Sequence, residues 1–577
     1  MKKITTLVLF VAMAVFSAMA QWGNTAEESV LVWHSNINQK EIKMAPNGFS
    51  WVYYQIPADE KYSNLSAHVN LIDTLGNKVF GDEGLLVSQH PTRTWTTFNK
   101  YLFVDRDGNA IVAVHDIRNA VETQYLSYTI YKISQTGEFL WGEDGIALEG
   151  TQAFPLSMHM TMTQVDNGDY VLAWAAAEDA NSDRVVVKLQ RMSQDGEMLW
   201  DIDEVSFNDP SGKTDYTWPT VVDAGLNQVI VIYFAGSNRD IYARKLDFDG
   251  TPVWSEDTRL YRQGWTGSPA WSVLDVKPSG DGGAILAWTD DRYMTGSSTY
   301  MTYVKSNGEI GFAAGVDGQK LSYSDYIGRQ VTCMYDPNTD SFIAAWLEAY
   351  SSVMFAAKMQ RLSKDGDLLW DEGGIELQPF SNYQYGYFSL QTAPNGEVAA
   401  FYMHNQTNFT NTQNLVTVFN PEDPTIRRDF IFSDTINTCE KAELLSTQMY
   451  DNKFWNVCWV DDYVDDPKLR VHRINADLTL GNNNDASVQS AMTQDLGFYV
   501  ASQVAQDNTL FGVNLPQATQ ATLTIYDLSG AAVATPFNGE LNEGTQYMEW
   551  NINVPAGVYL ATLTTSYGVE TIKVLVK

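Results

Sequence analysis

Cysteine is almost missing from this chain: 577 residues contain three, Cys333, Cys439 and Cys458. So sparse and odd a set excludes a disulfide framework and a cysteine-rich metal site. Cys333 and Cys458 sit in strand patterns and read as small core residues, which leaves a Cys439–Cys458 bridge open. Basic residues are also scarce, with 37 Lys and Arg against 70 Asp and Glu and a formal net charge of −33. That balance argues against nucleic-acid and anionic-membrane partners, which need basic patches to displace counterions. The seven histidines (His34, His68, His90, His115, His159, His404 and His472) contain no ligand-spaced pair, so no zinc site is expected. Beyond the N-terminus no run approaches the ~18 apolar residues of a membrane-spanning helix. Glycine-rich phosphate loops, a Gly-x-Ser-x-Gly elbow and a Cys/His nucleophile pair are lacking as well.

What the chain does have is rings and turns. Aromatics make up 12% and glycines number 40, the profile of a folded protein with many tight turns. Residues 1–20 read as a Sec signal peptide. Lys2 and Lys3 precede an apolar stretch from Ile4 to Phe16, and Ala18-Met19-Ala20 offers a cleavage site between Ala20 and Gln21. Loss of that leader takes the charge to −35. The expected location is outside the cell, either secreted or on its surface.

An internal repeat occupies most of the remainder. Its phrase is plainest in Lys132-Ile-Ser-Gln-Thr-Gly-Glu-Phe-Leu-Trp141, Arg191-Met-Ser-Gln-Asp-Gly-Glu-Met-Leu-Trp200 and Arg361-Leu-Ser-Lys-Asp-Gly-Asp-Leu-Leu-Trp370. The turn glycines Gly76, Gly137, Gly196, Gly250, Gly308 and Gly366 are spaced by 61, 59, 54, 58 and 58 residues. A second phrase, a short Asn/Asp-rich turn and an apolar strand, keeps step with it and leads into Val171-Leu-Ala-Trp174, Ile285-Leu-Ala-Trp288, Ile343-Ala-Ala-Trp346 and Asn456-Val-Cys-Trp459. Two hairpins per unit make a four-stranded antiparallel sheet, and a ring of such sheets buries the faces that one alone leaves exposed. The prediction is all-β: a β-propeller of about eight blades over residues 21–480, or seven if the first or seventh unit is irregular, with Val30-Leu-Val-Trp33 completing the last blade. The turn phrase does not keep the spacing of the Asp-box of sialidase-like propellers.

A polar linker, 481–499, precedes a strand-rich module at 500–577, read as a small Ig-like β-sandwich. Ile525-Tyr-Asp-Leu-Ser-Gly530, Gly557-x-Tyr559 and a terminal strand with Lys573 and Lys577 resemble the type IX secretion C-terminal sorting domain (type A-like) of Bacteroidetes. The usual Pro-Asn-Pro opening is absent, and Ala505-Gln-Asp-Asn-Thr stands in its place. The resemblance implies a secreted Bacteroidetes propeller protein that has the type IX machinery as partner, crosses the outer membrane, and is then attached to the surface or released.

Candidate chemistry falls on the end of the ring where second–third strand loops meet the inter-blade connections. Aligning the strand-ending tryptophans places Asp116, Asp290, Glu348 and Asp461 there, with Arg118, Asp291 and Arg292 beside them and Trp95, Trp218 and Trp265 in the inter-blade segments. Rings that cover apolar sugar faces, with carboxylates to accept hydroxyl hydrogen bonds, suit a glycan ligand, and a host protein is the other ligand considered. The structural reading is that the acids cap loops and the tryptophans pack between blades. A binding protein is therefore the leading expectation. A polysaccharide-degrading enzyme, glycosidase or lyase, is the alternative, with Asp290, Asp291 and Asp461 as its acids. No cofactor is expected apart from a candidate calcium loop at Asp105-x-Asp107-Gly108-Asn109.

Overall fold

The computed structural model describes residues 22–577 except 38, 59–63, 91–101, 117, 119–126, 149–157, 179–181, 183, 202–204, 237–239, 262–273, 293–295, 323–325, 407–411, 434–441, 463–465, 482–497, 501–503, 506–507, 516–517, 528–530 and 566–567. The proposed cleavage pair Ala20 and Gln21 lies outside these residues, as do Cys439, Trp95 and Trp265. The chain divides into two compact units, Met1–Asn482 and Asn483–Lys577.

Among the described residues of the first unit, eight antiparallel sheets follow one another along the chain. Their first strands are Lys40–Met44, Leu102–Val104, Met158–Gln164, Tyr216–Asp223, Asp275–Pro278, Ile327–Asp336, Tyr383–Thr392 and Ala442–Ser446. Among the described residues seven sheets have four strands and the third has three, with the Val187–Phe207 bridge where a fourth would pair. The eighth is completed by Val30–His34, which pairs antiparallel with Lys468–Asn475. Each sheet shares a buried apolar cluster with the next, from the first pair, around Trp51, Val69 and Val112, to the seventh and eighth, around Phe401 and Trp455. A further cluster of Trp22, Val52, Cys458 and Leu469 joins the eighth sheet back to the first. The result is a closed, β-propeller-like all-β ring, in which packing against both neighbours buries both faces of every sheet.

The repeat phrase explains how neighbouring sheets are clasped. Gly76, Gly137, Gly196, Gly250, Gly308 and Gly366 all have φ between 86° and 91°, the left-handed region that turns of this kind demand of glycine. The ring ending one phrase lies on the turn glycine of the next. A Cβ at Gly308 would stand 2.9 Å from Trp254, and one at Gly366 2.8 Å from Phe312. The indole N–H groups of Trp141, Trp200 and Trp254 donate to the carbonyls of Gln194, Phe248 and Ser306, each two residues before the glycine. Trp22 supplies the same clasp for the first sheet, against Gly76 with its N–H on Thr74 O at 3.2 Å.

The second unit has a three-stranded sheet, built on Asn508–Leu515 and Gly544–Asn551, and a five-stranded one, built on Thr519–Tyr526, Gly557–Thr565 and Gly568–Val576. Phe511, Leu523, Trp550, Leu563 and Val574 form their common core. In the Gly557-x-Tyr559 element, the Tyr559 hydroxyl donates to Pro555 O at 2.8 Å.

Candidate functional site

The first strands form the inner wall of the ring, since they contact one another from sheet to sheet. Side chains tie them together: Glu41 accepts from Leu102 N at 2.8 Å, Thr161 from Val221 N at 2.9 Å and Asp275 from Cys333 N at 2.8 Å, while Ser389 and Ser446 hydroxyls meet at 2.7 Å.

One irregularity recurs along this wall. Among the described residues five first strands carry a two-residue bulge near their loop end, between Met158 and Thr161, Thr217 and Thr220, Arg329 and Thr332, Gly386 and Ser389, and Ala442 and Leu445. The residues facing these bulges on the second strands are Trp174, Tyr233, Trp346, Tyr402 and Trp459. The first bulge residue is left-handed every time, and none is glycine: His159 (φ 57°), Trp218 (53°), Gln330 (51°), Tyr387 (52°) and Glu443 (54°). This conformation costs a non-glycine residue roughly 1–2 kcal/mol, and such strain concentrates where a side chain must be aimed. Neighbouring bulges interact. The His159 and Trp218 rings stack with centroids 3.4 Å apart and Gln330 accepts from Tyr387 N at 3.3 Å, whereas Glu443 pairs with the buried Lys40 of the unbulged first strand of the first sheet. Burial lowers the His159 imidazole to about 4, so it is neutral at physiological pH. Sequence reasoning found Trp218 but missed the other four, because the bulge has no composition signal. Its only trace is the recurring aromatic on the second strand.

The acids picked out by alignment are mostly engaged. Asp290, 1% exposed, accepts from Arg292 Nε at 2.8 Å, Arg292 Nη2 at 2.6 Å and the Trp288 indole at 2.8 Å. The Arg292 guanidinium in turn lies 3.7 Å from the Tyr300 ring centroid and 4.9 Å from that of Tyr261. Asp461 accepts from Arg470 Nε at 3.1 Å. Arg118 donates to Asp144 O at 2.7 Å and to the Tyr131 hydroxyl. Asp116 ends the strand Ala110–Asp116, opposite Ser127. Asp291 keeps a buried Oδ1 without a hydrogen-bond partner among the described residues. Glu348 is 2% exposed and its Oε1 is likewise unpartnered. Burial, the largest influence, raises its carboxyl to about 7 against the nearby Lys358 ammonium and Trp346 indole.

At the candidate calcium loop the donors come from the protein. Asp105 accepts from Asp107 N, Asn109 N and Nδ2, and the Tyr170 hydroxyl at 2.8–3.0 Å, with Lys132 Nζ at 3.3 Å. The carboxylate caps the hairpin turn and is neutralised by lysine, which leaves it no role as a calcium ligand. A cavity of about 230 Å³ opens on the inner wall at the first three sheets, lined by Glu41, Lys43, Phe103, Met160, Thr161 and Met162 among others.

No family model and no curated protein matches the chain. Solved structures similar to it include the polysaccharide lyase Uly1, at 11% identity and TM-score 0.37 over 66% of this chain and 89% of that one. The endo-1,5-alpha-L-arabinanase of Thermotoga petrophila RKU-1 has 12% identity and TM-score 0.27 over 77% and 99%. A protein of unknown function from Dyadobacter fermentans DSM 18053 has 12% identity and TM-score 0.31 over 55% and 93%. Similarity this slight carries no argument about activity.

Proposed function

We propose that this is an exported binding protein, an eight-bladed propeller that recognises carbohydrate at the loop-end mouth of its inner wall. The observation that carries the reading is the set of five left-handed bulge residues. They bring two large rings, a neutral imidazole, an amide and a carboxylate to the same end of the first strands, and these are the groups that cover apolar sugar faces and bond to hydroxyls. The engaged state of Asp290 and Asp461 favours binding over hydrolysis, because neither is free to act as acid or base. A glycan array probed with the full chain tests it. Binding to at least one polymer supports the reading, and silence across the array contradicts it.

Degradation of the same polymer is the second reading, favoured by the unpartnered Asp291 Oδ1 at this end of the fifth sheet. Release of reducing ends, or absorbance at 235 nm, that disappears in Asp291→Asn would establish it. The second unit acts in this account as an Ig-like type IX sorting domain, a role supported by the Ile525–Gly530 and Gly557-x-Tyr559 phrases. Deleting residues 500–577 should then trap the protein in the periplasm.

A further inference from the structure

Among the described residues, the charged groups of the first strands are engaged with one exception. Lys40 pairs with Glu443, Lys43 lies 3.5 Å from Glu41 and Lys277 pairs with Asp275. Asp223 and Asp336, at the turn end, accept from the turn N–H groups of Gly225 and Asn338. The exception is Arg329, on the sixth sheet's first strand Ile327–Asp336, which is exposed and has neither ion pair nor hydrogen bond among the described residues. Neighbouring sheets cover both faces of this one, so an exposed side chain on its innermost strand reaches only the space that the ring encloses or its loop end.

The register gives the direction. Ile327, Gly328 and Arg329 pair in unbroken order with Ala349, Glu348 and Leu347. A Cβ at Gly328 would collide with Thr299, so that side of the strand faces the fifth sheet, and Glu348 lies on the same side opposite Gly328. Arg329 alternates to the other side together with Leu347, which packs in the cluster shared with Tyr385 of the seventh sheet. The next residue is the left-handed Gln330, also exposed, whose side-chain oxygen accepts from Tyr387 N at 3.3 Å. Tyr387 is left-handed in its turn and 38% exposed. The two adjoining bulges of the sixth and seventh sheets thus carry a bare guanidinium, an amide and a phenol ring.

We propose that this trio selects an acidic polysaccharide, with Arg329 taking a sugar carboxylate or sulfate ester, Gln330 a hydroxyl and the Tyr387 ring an apolar sugar face; the assignment rests on carbohydrate recognition at this end of the inner wall. A guanidinium presents a planar fork of donors that matches an oxyanion, and charge-assisted bonds of this kind are the strong ones. The rest of the chain works against polyanions, since its net charge is −33. Any polyanion it binds is therefore held where a cation stands free, and not by the summed field.

The test is calorimetric titration of the full chain with polygalacturonate, its methyl ester, dextran sulfate and dextran. An acidic polymer is expected to bind about tenfold or more tighter than its neutral counterpart. Binding of polygalacturonate alone identifies a carboxylate as the anion, and binding of dextran sulfate alone a sulfate ester. Arg329→Gln should lose about the same factor and Arg329→Lys less, because lysine keeps the charge without the fork. Both variants should melt with the wild type, since the side chain has no partner to lose. Equal binding of an acidic polymer and its neutral counterpart, or acidic binding undiminished in Arg329→Gln, would overturn the acidic preference and leave carbohydrate recognition standing. If neither acidic polymer binds, the acidic preference falls, and the glycan array decides whether carbohydrate recognition falls with it.

Discussion

Trp254 lies against Gly308: a Cβ there would stand 2.9 Å from the indole, whose N–H donates to Ser306 O at 3.1 Å. The same contact recurs between successive sheets, so turn geometry and sheet-to-sheet packing are set by one pair of residues. Gly308→Ala is therefore expected to lose about 2–4 kcal/mol, combining left-handed strain with overpacking. Gly81 (φ 70°), with nothing within 4 Å of its would-be Cβ, is the control, and its alanine variant should lose only about 1 kcal/mol. Urea unfolding measures both.

Trp22 closes the ring. It is 1% exposed, stacks beside His472 and packs in the cluster that joins the eighth sheet to the first. Trp22→Ala should cost about 3–5 kcal/mol. Hydrogen exchange should rise first in Val30–His34 and Lys468–Asn475, the strands beside it.

Asp290 carries a structural load, and Asp290→Asn separates that role from ligand contact. Removing one partner of a buried ion pair leaves Arg292 uncompensated, at a cost of about 3 kcal/mol. Thermal unfolding should show this loss, while ligand affinity of the protein that remains folded should be unchanged.

Glu348 makes stability depend on pH in a direction unusual for an acid. Its folded value of about 7 lies above the ordinary 4.5, so the folded state binds the extra proton. Its contribution is fullest below pH 4.5 and is lost as pH rises toward 7. Glu348→Gln should therefore gain stability at pH 8, by at most about 3 kcal/mol, and change little at pH 4. Melting curves at the two pH values check the sign.

The ring was legible because turn chemistry is local: positive-φ glycines at a steady spacing mark hairpins whatever surrounds them. The acids at the strand ends were legible as positions but not as roles. Asp290 and Asp461 owe their environment to Arg292 and Arg470, and only the folded register shows which acid faces which arginine. The left-handed bulges at His159, Trp218, Gln330, Tyr387 and Glu443 were hidden for a related reason. A non-glycine residue enters that conformation under tertiary constraint, and nothing in its identity announces it.

The most direct test of carbohydrate recognition at the bulge-lined opening is affinity electrophoresis through gels containing soluble polysaccharides, comparing the wild-type chain with Tyr387→Gly and Gln330→Gly. Glycine relieves the left-handed strain, so both variants should be at least as stable as their alanine counterparts, by up to about 1 kcal/mol. At least one polymer should retard the wild type, and this retardation should be lost in Tyr387→Gly and weakened in Gln330→Gly. Undiminished retardation of both variants, or a wild-type chain that no polymer retards, would contradict it.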